Sequence, residues 1–327
     1  MHVHAALGVA TLVANVAHAQ SSLDIYGRLD VGLVTPSNRV DSHNQTVTPE
    51  PLLLTSGSRN RVGLRATYDS ADAWRMRLTL EQSLLGLNGE KLFDDAYWRN
   101  LKFADAVAMG TVSHYAWGRL DVGRRTDVAK DGADASHPWG SETVGSDRCA
   151  SILRWPCPSH LDRPTGITVE TPWIQERLKL FGQATRFDEE KVFAARAVYS
   201  DGARRVDVAF RRSSTGAWLM PVGLIEPVGA WRLHLLATVG RLRDSESGTP
   251  LQGNYLFVGA TRGWRGGEVR IGAGRYRLKP ADDHSHWSVG YHVPLRPDLV
   301  VYTDAALHNG REGTSGGQID VGFKLTI

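Results

Sequence analysis

The sequence predicts an all-β fold, a transmembrane antiparallel β-barrel of about sixteen strands. Three observations predict it. Apolar and charged residues alternate with a period of two, the connections between the predicted strands are alternately short and long, and the polar positions of the strands are dense in arginine, aspartate and glutamate.

The alternation is clearest in residues 23–33, LDIYGRLDVGL, where every odd position is apolar or glycine and every charge is at an even position. Because side chains alternate across a strand, all apolar groups fall on one face and all charges on the other. The same pattern recurs in 74–81, 206–211, 231–235, 287–293 and 319–327.

Segments of this kind have about the length that a tilted membrane strand needs. We predict strands at 22–34, 59–69, 73–84, 95–103, 116–125, 166–172, 177–187, 191–200, 203–212, 217–226, 230–242, 254–263, 268–278, 285–294, 298–307 and 317–327. Two of them are weak, because 95–103 has ambiguous parity and 217–226 contains Pro221, which an interior ladder position disfavours.

The lengths of the connections give independent support. Long segments follow odd-numbered strands, at 35–58, 126–165, 243–253 and 308–316. Short turns join other strand pairs, at 68–73, 200–202, 264–267 and 294–297. Outer-membrane barrels place short turns on the periplasmic side and longer loops outside.

A soluble β-sandwich also alternates, with its apolar face packed inward, and it is the alternative fold. Here the polar face carries charges on strand after strand. In a bilayer only a closed barrel pairs every backbone group while it exposes an apolar outer band, and its charges then line a hydrated lumen. We therefore favour the membrane barrel.

Residues 1–19 are typical of a secretory signal peptide, since an apolar stretch is followed by the A-x-A site Ala17-His18-Ala19. A buried helix is the alternative. We expect 20–327 to form the barrel domain. Cys149 and Cys157 could close a disulfide loop in an oxidising compartment or remain free thiols.

Several motifs resemble those of the Gram-negative porin family, the general porins of β-proteobacteria. Gln20-Ser21-Ser22 with Tyr26-Gly27, Asp30 and Gly32-Leu33 is similar to the family's amino-terminal motif. The other matching segments, in chain order, are Arg61-Val62-Gly63-Leu64-Arg65, Thr79-Leu80-Glu81, Leu92-Phe93 with Ala96-Tyr97, Gly118 to Arg125 and Val169-Glu170-Thr171-Pro172. A departure is Ile327, where the family ends in an aromatic residue.

The resemblance implies that the third loop, 126–165, folds into the barrel and narrows it. It also implies that acidic loop residues face arginines on the wall, so that a transverse field sorts solutes by charge. By strand parity the wall candidates are Arg28, Arg61, Arg65, Arg75, Arg77 and Arg119, together with Glu81. The loop candidates are Asp127, Asp131, Asp134, Glu142 and Asp147.

The function expected from this resemblance is a water-filled channel of the outer membrane for passive diffusion of ions and small hydrophilic solutes, with a weak preference for anions. The implied partners are two further copies in a homotrimer, outer-membrane lipid and lipopolysaccharide, and the barrel-assembly machinery during insertion.

Other functions find less support in the sequence. A barrel hydrolase would need a Ser-His pair that we cannot assemble, and an adhesion barrel would usually have fewer strands or longer outer loops than these. The segment 282–286, DDHSH, lies in a predicted hairpin loop, and we predict no metal, no cofactor and no catalytic residue. The formal charge of +3 gives no reason to expect a nucleic-acid partner.

Overall fold

The computed structural model describes residues 20–34, 53–56, 60–70, 73–83, 107–140, 165–187, 190–243, 250–279, 282–310 and 315–327. Within these ranges the chain forms a single 17-stranded sheet, in which every strand pair is antiparallel, and one α-helix. No helix among these residues is both long and apolar enough to cross a membrane.

The bounds of the elements, in chain order, are β1 (Gln20–Val34), β2 (Leu53–Ser56), β3 (Arg61–Asp69), β4 (Trp74–Ser83), β5 (Val107–His114), β6 (Gly118–Arg124), α1 (Val128–Ser136), β7 (Thr165–Glu170), β8 (Leu178–Phe187), β9 (Glu190–Ser200), β10 (Arg205–Ser213), β11 (Trp218–Val228), β12 (Trp231–Arg243), β13 (Pro250–Trp264), β14 (Gly267–Lys279), β15 (Asp282–Arg296), β16 (Leu299–Gly310) and β17 (Ser315–Thr326).

The sheet closes on itself, because β1 pairs with β17 at the other end of the strand order. Gly27 and Ile327 complete the seam, each amide donating to the other's carbonyl at 3.0 Å. The strands β2 and β3 both pair with β1, at Val31↔Ser56 and Arg28↔Arg61, and so occupy one position. The 17 strands therefore form a 16-stranded barrel, as the sequence predicts.

The polarity of the outer and inner surfaces of the barrel is the reverse of that in a soluble protein. Leu23 and Ile25 point outward and are each 72% exposed, whereas Asp30, on the alternate parity of the same strand, is 0% exposed. The same inversion recurs around the sheet, with Asp121, Asp207 and Asp304 buried on the inside. An apolar outer surface over a charged interior is the arrangement that a bilayer requires.

The connections define two ends of the barrel. At the turn end, β13 and β14 are joined by Arg265-Gly266 alone, and both residues have the positive φ (44° and 78°) of a tight hairpin turn. The connections at the opposite end, called the loop end below, include 35–52, 84–106 and 125–164. The alternation predicted from the sequence is therefore present.

Two details differ from the sequence prediction, and one weakly predicted strand is present. The strand predicted at 95–103 lies outside the described residues, and the fourth barrel position is taken by β5, which was not predicted. The helix α1 was not predicted either. Pro221 does lie within β11, but the β10–β11 ladder has no pairs between Val208↔Val222 and Arg211↔Leu219, consistent with a proline that has no N–H to donate.

Candidate functional site

The helix α1 belongs to the third loop and lies inside the barrel. Asp127 caps its amino terminus by accepting a 2.8 Å hydrogen bond from the amide of Ala129, as an N-cap residue should. The helix contacts β8 to β12, most extensively β11 and β10. The described part of the third loop, residues 125–140, is therefore folded inward, and α1 covers one side of the inner wall.

Glycines bring α1 close to that wall. A Cβ at Gly223 of β11 would overlap the hydroxyl of Ser136, and one at Gly132 of α1 would lie 2.6 Å from Asp207 Oδ1. His234 of β12 adds a contact of 3.3 Å between its Nδ1 and the carbonyl oxygen of Ser136. Because Gly132 and Gly223 have no side chain, the helix can lie this close to the wall.

Trp139, just after α1, anchors the segment on the next part of the wall. Its side chain is 1% exposed and packs with an inward-facing apolar cluster that includes Phe257 and Tyr276. The indole Nε1 donates to Asp304 Oδ1 at 2.8 Å, and Arg270 donates to the carbonyl of Pro138 at 2.8 Å. Residues 128–139 thus run along the wall from β8 towards β16.

The strands β3 and β4, outside this covered arc, carry inward-facing arginines on the wall. Arg65 of β3 pairs with Thr79 of β4, and Arg77 of β4 pairs with Thr67 of β3, so the two arginines are diagonal neighbours on one face. The guanidinium of Arg65 lies 4.4 Å from the ring centroid of Tyr26. Neither arginine has a carboxylate partner among the described residues, so this wall presents uncompensated positive charge.

Other arginines near this pair are partly neutralised. Arg61 lies 3.7 Å from Glu81, and Arg119 donates to Asp121 at 2.7 Å. Both arginine side chains are nevertheless 31% exposed, so water reaches this part of the interior. Arg28, on β1, lies 4.0 Å from Asp30.

The acids in the described part of the third loop are paired with cations close to them. Asp127 lies 3.1 Å from Arg211 of β10, and Asp131 accepts from Arg125 at 3.2 Å. Asp134 lies 2.8 Å from Lys130, one helical turn away. The surrounding protein displaces water and raises the pKa of the Asp131 carboxyl, against the opposing effect of Arg125, Lys130 and Arg196.

Comparison with known sequences accords with this geometry. The sequence profile described as Gram-negative porin matches residues 5–152. Over these residues the chain is similar to the Gram-negative porin family. An outer membrane porin protein of Bordetella pertussis is 29% identical over 138 residues, which cover 39% of this chain and 34% of that protein. The chain thus matches about a third of the length of this curated relative.

The porin likeness extends to the whole barrel in three dimensions. An anion-selective porin from Comamonas acidovorans superposes with a TM-score of 0.76 at 16% identity, covering 94% of this chain and 100% of that one. The trimer form of OmpT, an outer membrane protein of Vibrio cholerae, gives a TM-score of 0.66 at 12% identity, covering 94% and 99%. At these identities the likeness establishes the porin fold.

The predicted site residues fall into four groups in this barrel. Arg28, Arg61, Arg65, Arg77, Glu81 and Arg119 lie on the inner wall, and Asp127, Asp131 and Asp134 lie on or next to α1. Arg75 lies near the turn end, where it pairs with Asp69 at 2.6 Å, away from α1. Glu142, Asp147, Cys149 and Cys157 lie outside the described residues.

The sequence did not predict the residues through which the third loop packs against the wall. Trp139, Asp304 and the glycines of the wall were not among the candidates. A signal was present, because β12 and β13 are apolar at both parities, as in Leu235-Leu236 and Leu256-Phe257. Apolar residues on the inner face of a polar-lined barrel indicate that another segment of the chain packs against them and excludes water.

Proposed function

We propose that this protein is an outer-membrane channel through which ions and small hydrophilic solutes diffuse passively. The observation that carries the proposal is a closed barrel with an apolar outer face, a charged inner face and an inward-folded loop against one arc of the wall. Charged, water-accessible side chains beside the third loop suit a lumen through which hydrated ions and polar solutes pass.

The passage for solutes is the part of the lumen beside β1 to β6. Water is excluded from the wall under the third loop, because Trp139, Phe257 and Tyr276 there are each at most 2% exposed. Partly exposed guanidinium groups line the other side. Solutes would therefore move between α1 and the arginines of β3, β4 and β6.

We expect the channel to prefer anions. The acids next to α1 each lie beside a cation, whereas Arg65 and Arg77 have no carboxylate partner among the described residues. A charge close to the permeant in a confined lumen acts more strongly than the same charge in bulk water. Net positive potential along the passage would attract anions and repel cations.

We also propose a homotrimer in the outer membrane, exported by means of residues 1–19 and inserted by the barrel-assembly machinery. Support for the trimer comes from the fold, which is shared with a barrel solved in a trimer form. The outward apolar face of β1, β3 and β4, with Ile25, Leu64 and Leu78 exposed, supplies a surface for a neighbouring barrel.

Planar-bilayer recording of the purified protein tests the proposed channel. We expect large, ohmic conductance steps in groups of three, as three lumens per trimer would produce. A correctly folded protein that inserts into the bilayer and carries no current would refute the channel and favour a non-channel barrel.

A further inference from the structure

Two histidines face each other on the inner wall of the barrel, near the loop end. His286 of β15 pairs directly with His308 of β16, and their Nδ1 atoms lie 3.2 Å apart. Residues 282–286, predicted as part of a hairpin loop, lie within β15, which begins at Asp282. Both imidazoles are therefore carried by adjacent, hydrogen-bonded strands of the wall.

The distance between the two nitrogens suits a shared metal ion. Zinc–imidazole bonds are about 2.0–2.1 Å long, so a tetrahedral ion holds two ligand nitrogens about 3.3 Å apart. The ring centroids of His286 and His308 lie 4.7 Å apart. A straight hydrogen bond between imidazoles with this nitrogen separation would place the centroids about 5.5 Å apart. The contact is therefore bent, as it is when two imidazoles coordinate one ion.

The neighbouring strands leave space around the pair. Gly274 of β14 pairs with His286, and Gly316 of β17 pairs with His308, so neither flanking position carries a side chain that would fill this part of the wall. His286 is 0% exposed, whereas His308 is partly exposed. An ion can therefore reach the pair from the lumen on the side of His308.

The charges on the surrounding wall suit a cation. Among the described residues, the inward positions of β14 to β17 next to the pair hold no arginine or lysine. Further along the same face lie Asp304 and Asp320, two buried residues that are directly opposite each other. A divalent cation at the histidines would meet less repulsion than beside Arg65 and Arg77, on the arc of β3 and β4.

We infer that His286 and His308 bind one divalent transition-metal ion, such as Zn²⁺ or Cu²⁺, on the lumen wall. Imidazole nitrogen suits these ions, whereas Mg²⁺ and Ca²⁺ prefer oxygen ligands. The histidine whose Nδ1 carries the proton of the pair exchanges it to Nε2 through water, so that both Nδ1 lone pairs face the ion.

The protein supplies two ligands to this ion, and lumen water supplies the others. No group of three or more His, Cys, Asp or Glu side chains in the described part of the chain is placed to hold a metal ion. The site goes beyond the proposed channel and does not depend on it, since metal binding requires only the folded barrel.

Zinc titration of the full-length protein, refolded in detergent without an affinity tag and followed by calorimetry, tests the site. We expect the wild type to bind Zn²⁺, and an excess of Mg²⁺ to leave the binding unchanged. His308→Gln and His286→Gln/His308→Gln should bind at least about tenfold more weakly, because loss of even an outer partner of a metal ligand weakens binding about 10–100-fold. The control is His114→Gln, near the turn end, where His114 packs against Trp74. It should bind as the wild type does.

Electron paramagnetic resonance with one equivalent of Cu²⁺ gives a second readout. We expect hyperfine structure from two imidazole nitrogens in the wild type and in His114→Gln, and from fewer in His308→Gln. A wild type that binds no Zn²⁺, or equal loss of binding in the control and the pair variants, would overturn the inference. If the pair variants do not fold, the wild-type Cu²⁺ spectrum decides, and fewer than two nitrogens would overturn it. Conductance is recorded without metal, so failure of the channel and failure of the metal site are distinguishable.

Discussion

Trp139 donates a hydrogen bond from its indole Nε1 to Asp304, 165 residues later in the chain, at 2.8 Å. The bond ties the third loop to β16, which lies beyond the strands β8 to β12 that contact α1. His292 Nε2 lies 3.0 Å from the same carboxylate oxygen of Asp304, so the acceptor is itself held in place. The width of the passage therefore depends on side chains remote from α1.

Replacing Trp139 with alanine should loosen this anchor. Loss of a buried tryptophan costs about 3–5 kcal/mol in a packed core, so we expect the third loop to move more freely. Single-channel recording should show greater open-channel noise and a higher conductance than the wild type. The matched control is Trp264→Ala, since Trp264 is 50% exposed on the outer face. Identical noise and conductance in the Trp139 variant and the wild type would contradict the proposed anchor.

Replacing Gly223 with alanine should push α1 off the wall, because the new Cβ would overlap the hydroxyl of Ser136. Overpacking of this kind costs about 1–3 kcal/mol. We expect a lower free energy of unfolding in urea and an altered conductance. Gly182→Ala is the control, as nothing lies within 4 Å of a Cβ built there. If both variants behave like the wild type, close packing at Gly223 is not what seats the helix.

The buried pair of Arg196 and Asp207 beneath α1 should be sensitive to removal of one partner. Arg196 Nε and Nη2 donate to the two carboxylate oxygens at 2.8 and 2.6 Å, and both side chains are nearly inaccessible to water. Asp207→Asn leaves a buried cation without its carboxylate, which costs about 3–5 kcal/mol.

Urea unfolding of the refolded barrel measures this cost, and adding Arg196→Gln to the first substitution should restore part of the loss. The control is Asp283→Asn, which removes the partner of Arg275 at an exposed site and should change stability little. If Asp207→Asn and Asp283→Asn change the free energy of unfolding equally, burial of the Arg196–Asp207 pair does not add to stability.

The fold could be predicted from the sequence wherever one parity was consistently apolar. β1 is such a case, since Leu23, Ile25 and Leu33 alternate with polar residues. β5 was missed because the small residues Ala108 and Gly110 stand at its outward positions and weaken the alternation. α1 was missed because it is a nine-residue helix, too short for its period to exceed the strand pattern around it.

The inward orientation of the wall candidates could be predicted from the sequence, whereas the partners of the loop residues could not. Parity alone assigned Arg65 and Arg77 to the inner face, where the structure has them. Which arginines are neutralised could not be predicted, because Arg61 meets Glu81 only through the pairing of β3 with β4. The partners of Asp127 and Trp139 lie on β10 and β16, and only the closed barrel brings them together.

The reversal potential across a salt gradient is the most direct measurement of the central claim. The claim is that solutes pass a water-filled lumen beside Arg65 and Arg77, which have no carboxylate partner among the described residues. In a gradient of potassium chloride, we predict that the wild-type reversal potential has the sign of a chloride-selective channel. In Arg65→Gln/Arg77→Gln we predict a clear shift of the potential towards the value for potassium. The outward-facing pair Arg212→Gln/Arg241→Gln should leave the potential unchanged. A cation-selective wild type, or a potential that the Arg65 and Arg77 substitutions do not move, would contradict the account.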